Sequence, residues 1–270
     1  MTILSFVVLY FFVFLMGTIF GSFLNVCIYR MPREESIIMP PSHCTGCGSR
    51  LKAPDLVPVF SFVFLKGKCR HCGVRISPRY PLIELLTATV FMILFYKYFI
   101  SVEFIAAAYL MAILIAVFFI DLDHKIIPDQ LVVAGLAGAL PLTVYNFFKP
   151  VQIFGETYWL NRLLGLLPGT GTLFLIAVIG LIIYKTDDAM GMGDVKLFAP
   201  IGIFLGWKLC LLTLMLSVVL AGVTSIILIL TKIKSRKDTI PFGPFIVIGT
   251  FIAIVWGTDI INWYMNSISN

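Results

Sequence analysis

The stretch EFIAAAYLMAILIAVFFI, residues 103–120, holds a single charge, Glu103, and then runs into DLDHKIIPD, residues 121–129. A run this long and apolar approaches the hydrocarbon thickness of a bilayer, where the backbone must satisfy its own polar groups and is therefore helical. The acids that end it would be costly deeper in lipid, so each calls for a reason.

Outward from this helix the pattern repeats. Apolar stretches cover about 3–29, 82–99, 129–148, 160–184, 209–231 and 242–266, each near the roughly 20 residues a span needs. A shorter one, about 195–207, is parted from its successor only by Lys208, and it counts as an eighth helix because the loop charges then fall into place. With 60% of residues hydrophobic, 13% charged and a mean hydropathy of +1.01, a soluble globular domain is excluded. The expected fold is an all-α integral membrane protein of about eight transmembrane helices plus a small cytoplasmic zinc-ribbon-like domain. The first apolar segment has no basic start and no small-residue cleavage site, so it reads as a retained span.

With both termini outside, the inner loops take every basic residue of the twenty except Lys97, Lys149, Arg162 and Lys208. The net charge of +6 then follows from topology, with membrane lipid as partner and no nucleic acid expected. Residues 30–80 break the apolar rhythm, being polar, basic and rich in Pro and Gly. The chain divides into a first transmembrane helix (1–29), a cytoplasmic zinc-binding domain (30–80) and a transmembrane bundle (81–270). Lys232–Asp238 reads as a solvated loop.

Cys44 and Cys47 form one C-x-x-C and Cys69 and Cys72 another, with 21 residues between the pairs. Two tight knuckles at this spacing suit one tetrahedral zinc, whose binding supplies folding free energy to a segment with little core of its own. Two disulfides are the alternative, disfavoured in reducing cytosol. His43 and His71 flank the knuckles as bystanders, because four thiolates already complete the shell. Cys27 and Cys210 lie in apolar runs and read as small hydrophobes.

The acids cluster in two segments, FFIDLDHKIIPD (Asp121, Asp123, Asp129) and GMGDVKLF (Asp194, preceded by Asp187 and Asp188). The topology puts both at the inner boundary, where two carboxylates from helices distant in sequence can share a proton and activate a water against a peptide carbonyl. Helix-end dipoles make Asp194 the base and Asp121 the acid, though such a pair titrates as a unit. Gly191 and Gly193 leave the backbone before Asp194 bare, so that a substrate strand can approach. Asp123, Asp129, Asp187 and Asp188 read as helix caps or interface anchors.

Taken together, GSFLNVCIYRMPR (Gly21–Arg33), the paired knuckles, SPRYPLIELLTA (Ser77–Ala88), IDLDHKIIPD and GMGDVKLF resemble, in this order, the motifs of the type IV prepilin leader peptidases, the GxGD-type aspartyl proteases of bacterial inner membranes. The resemblance implies catalytic Asp121 and Asp194, and cleavage after a glycine that ends a short basic leader on prepilins or pseudopilins. It also implies methylation of the new N-terminus with S-adenosylmethionine, for which Gly21, Ser22, Asn25, Arg30 and Glu84 are the candidates. Read without it, Gly21, Ser22 and Asn25 are equally helix-packing residues, and Arg30 with Glu84 an interfacial ion pair. A transporter using intramembrane acids is the rival, but it expects them near the bilayer midplane. A membrane-tethered zinc-ribbon binding module leaves Asp121 and Asp194 unexplained.

Overall fold

The computed structural model describes residues 3–150, 152–184, 191–235 and 238–269. The readings made for Lys185, Asp187, Asp188, Arg236 and Lys237 lie outside the described residues. Helix dominates, no strand occurs among the described residues, and seven helical stretches there are long and apolar enough to cross a membrane. The chain divides into two compact units, Met1–Ile100 and Ser101–Asn270.

In the first unit α1 (Ile3–Arg30) runs beside α3 (Arg79–Tyr98). Their approach is set by small residues one turn apart: a Cβ on Gly17 would lie 2.5 Å from Ala88 Cα, and one on Gly21 2.6 Å from Glu84 Cα. Such close backbone contact is how helices associate where lipid removes the hydrophobic drive. Between them lie the knuckles and the short helix α2 (Phe60–Phe64).

The second unit is built around α4 (Val102–His124), buried along most of its length and capped by Ser101, whose hydroxyl accepts from Phe104 N at 3.2 Å. Packed against it are α5 (Asp129–Phe148), α8 (Met192–Leu230) and α9 (Gly243–Ser269), while α6 (Trp159–Leu164) and α7 (Thr172–Tyr184) pack on α8. The helix expected at 195–207 and its successor are the two limbs of α8, whose backbone leaves helical geometry at Gly206 (φ 76°, ψ 174°), two residues before the Lys208 boundary. Glycine tolerates that conformation at no steric cost.

The limbs double back there. A Cβ on Gly169 would meet Phe198 Cδ1 at 2.5 Å and Cys210 Sγ at 2.9 Å, although residues 198 and 210 would stand about 18 Å apart along a straight helix. The first limb, 192–205, is only about 21 Å long, short of the roughly 30 Å of hydrocarbon. Its far end is held by Arg162, fully buried, which donates from Nη1 to Phe204 O (2.6 Å), from Nη2 to Ile153 O (3.0 Å) and from Nε to Asn146 Oδ1 (3.2 Å). Beside it the buried Glu156 accepts from Asn161 Nδ2 at 2.7 Å and lies 3.8 Å from Lys208 Nζ.

Candidate active site

Asp121 ends α4 and is buried; Asp194 lies in the first turn of α8, half-buried. The two carboxyls, seventy-three positions apart, come within reach of each other's charge. Neighbouring contacts fix both helix ends at the same end of this unit: Gly193 packs on Ile127, and Lys196 Nζ pairs with Asp129 Oδ1 at 2.8 Å. Gly191 O accepts from Asp194 N at 3.1 Å, closing the turn that starts the limb. A Cβ on Gly191 would stand 3.0 Å from Asp194 Oδ2, and one on Gly193 3.1 Å from Ile127 Cβ, so side chains at either position would crowd the acid's surroundings.

Sequence reasoning missed a third contributor. Gly243 N, at the start of α9, donates to Asp121 Oδ2 at 2.8 Å, and a Cβ there would lie 2.6 Å from the same oxygen. The segment Pro241–Phe242–Gly243–Pro244 was available as a turn signal before an apolar run. This bond opposes the helix-end assignment of the proton to Asp121, because a carboxylate accepts N–H bonds more strongly than a carboxylic acid does. The proton is therefore ascribed to the pair. Lys125 leaves α4 in the left-handed region and donates from Nζ to Thr239 Oγ1 at 2.7 Å, tying the chain just before Gly243. Asp123 and Asp129 are exposed.

In the first unit the four knuckle thiols lie within 4.8 Å of one another, with Cys44 Sγ and Cys72 Sγ 3.8 Å apart. Four sulfurs about 2.3 Å from a central ion would stand about 3.8 Å apart, so the set fits a tetrahedral metal. Gly46 N and His71 N point at Cys44 Sγ and Cys69 Sγ at 3.4 Å each, and Gly48 and Gly73 supply the positive φ that closes each loop. The Ser49 hydroxyl draws the Cys47 thiol down to about 6, and N–H groups of Cys72 and His71 lower that of Cys69, which favours the thiolates a metal needs. His43 and His71 are exposed; Cys27 and Cys210 are buried.

The methyl-transfer candidates gather where α1 meets α3, and several of their polar atoms are engaged. Glu84 Oε2 accepts from Val59 N at 2.6 Å and its carboxyl bonds Ser22; Asn25 Nδ2 donates to Tyr80 O at 3.1 Å. The expected Arg30–Glu84 ion pair is not formed: the Arg30 guanidinium caps two loop carbonyls, Ser36 O (2.8 Å) and Pro40 O (2.7 Å), which satisfy it without an acid.

A helical bundle with seven stretches long and apolar enough to cross a membrane, which sets Asp121 and Asp194 on helix ends at one end of its second unit and is joined in sequence to a four-thiol cluster that could hold a metal, defines a multi-pass membrane protein. The chain matches the family described as Bacterial Peptidase A24 N-terminal domain over residues 15–98 and the Type IV leader peptidase family over 108–226. It is 33% identical to a prepilin leader peptidase/N-methyltransferase of Aeromonas salmonicida, covering 95% of this chain and 94% of the relative. It is 35% identical to the protein so named in Bacillus subtilis (93% and 96%) and 32% identical to that of Pseudomonas putida (91% and 90%). The chain belongs to the type IV leader peptidase family. No solved structure matches it.

Proposed function

We propose that the protein removes the leaders of type IV prepilins or pseudopilins after a glycine, at the cytoplasmic boundary of a bacterial inner membrane, with Asp121 and Asp194 as the catalytic pair. The observation that supports this reading is that the helix ends bearing Asp121 and Asp194 lie at the same end of the second unit, through Gly193 on Ile127 and Lys196 on Asp129, in a chain of this family. Sharing one proton, the pair takes a proton from water as it attacks the scissile carbonyl and gives one to the departing amine. Gly243 holds Asp121 in place, while Gly191 and Gly193, lacking side chains, let the backbone lie close against Asp194 and Ile127. The orientation that faces this end to the cytoplasm, with residues 30–80, rests on the distribution of basic residues.

Zinc is the ion proposed for Cys44, Cys47, Cys69 and Cys72, where it would supply folding free energy rather than chemistry. Cys44→Ser is expected to lose the metal, checked by elemental analysis of the purified protein. Methylation with S-adenosylmethionine is proposed from the relatives' names. Gly21, Ser22, Asn25, Arg30 and Glu84 are the candidates for that activity, and in this structure Asn25, Arg30 and Glu84 hold hydrogen bonds to backbone with which the cofactor would compete. Coexpression of a prepilin with wild type, Asp121→Asn or Asp194→Asn, read by mass spectrometry, tests the peptidase. Leader removal that persists in both variants would end the aspartyl reading, and a methyl's added mass on the mature product reports the second activity.

A further inference from the structure

We propose that Leu56–Leu65 is an interfacial anchor: its apolar side chains enter the surface of the leaflet at which α1 ends and α3 begins, and its flanking lysines hold anionic lipid headgroups. The stretch reads LVPVFSFVFL inside an otherwise basic segment, too short to span and with no acid of its own. Its larger side chains do not form a core. Phe64 is 81% exposed and Val63 64%, and Leu56, Val57 and Phe60 are exposed beside them. Phe62, half-buried, packs on Gly67 of its own loop.

Depth argues for lipid as the occupant. Val59 N is held 2.6 Å from Glu84 Oε2, and Glu84 lies about 7.5 Å inside the start of α3. Through Gly21 and Ser22 the same residue faces α1 about 12 Å before that helix ends at Arg30. Two helices thus place the apolar loop beside their terminal turns rather than beyond them, at the depth where amphipathic segments bury their apolar faces. Charge is complementary as well. Lys52, Lys66 and Lys68 are exposed around the loop, and the one acid between Lys52 and Arg70, Asp55, is bound to the Arg70 guanidinium at 2.7 Å. Cations next to an apolar hook suit the anionic headgroup layer.

The test uses the full chain with a benzophenone amino acid at position 64 or 63, reconstituted with its metal in vesicles of phosphatidylethanolamine and phosphatidylglycerol. Lipid adducts after irradiation are counted by mass spectrometry. Tyr96, exposed on α3, serves as the lipid-facing reference and His71, on a knuckle, as the aqueous one. The anchor predicts yields at 63 and 64 within about threefold of Tyr96 and about tenfold above His71, falling at least about twofold when phosphatidylglycerol is replaced by phosphatidylcholine. Yields no higher than at His71, or adducts to a co-reconstituted prepilin or to a second copy in place of lipid, would overturn it. An unchanged yield without phosphatidylglycerol would overturn the role of the lysines.

Discussion

The second unit hides charge at both of its ends and treats it in opposite ways. Around Gly206, Arg162 spends Nε, Nη1 and Nη2 on fixed acceptors, and Glu156 is held by Asn161 with Lys208 nearby. At the other end Asp121 has one backbone donor, Gly243 N, and stands within reach of a second acid. A buried guanidinium bonded through all three of its nitrogens rigidifies what it touches, whereas two acids near each other disfavour being charged at once. One end is built to hold, and the other is where the proposed chemistry would take place. The short limb of α8 joins them, so Arg162 anchors the rod that presents Asp194.

The comparison breaks first, and most severely, at the acids. Asp121→Asn or Asp194→Asn should lower cleavage by about 10⁴-fold, and the double variant should be no slower than either single one, because the two act as a unit. Thermal unfolding in detergent should be unchanged or shifted upward, since a neutral amide at either position removes the cost of keeping a charge beside a second acid. At the opposite end the signature inverts. Arg162→Ala should cost about 3–5 kcal/mol of stability, leaving Glu156 short of a nearby positive charge and taking a donor from three acceptors, as checked by the same unfolding curve. An Arg162→Ala protein that melts like wild type would remove the clasp.

How much of this could be read beforehand divides along physical lines. Spans were legible because lipid imposes one rule on every residue at once, and residues 103–120 obey it almost without exception. The cysteine cluster was legible because two C-x-x-C pairs carry their geometry in their spacing. Arg162 was not: it counted only as a charge left outside, since its value depends on Asn146, Ile153 and Phe204 arriving from three other places in the chain. The break in α8 was tied to Lys208, the visible charge, whereas the backbone turns at Gly206, the residue that tolerates φ 76°. Gly243 escaped because it acts through its N–H and through a Cβ it lacks, neither of which hydropathy or charge reveals.

Gly243 separates positioning from packing at the acid end. Gly243→Ala would place a methyl 2.6 Å from Asp121 Oδ2 and must displace either the carboxyl or the start of α9. Misplacement of a reacting group by about 1 Å costs on the order of 10²-fold in rate, so cleavage should fall by that much while the melting temperature moves little. A matched loss of stability and rate would make the glycine a packing residue instead.

The smallest effect belongs to the ion pair that looks most conspicuous on the surface of the acid end. Lys196 and Asp129 meet at 2.8 Å, but their side chains remain 47% and 69% exposed, so water and salt compete for both partners. Exposed pairs of this kind contribute about 0–1 kcal/mol. Lys196→Met should therefore alter the unfolding midpoint barely, and the remaining difference from wild type should vanish in high salt. If the variant instead unfolded as readily as Arg162→Ala, the acid end would be held together by its own charges, and the division between a holding end and a reacting end would fail.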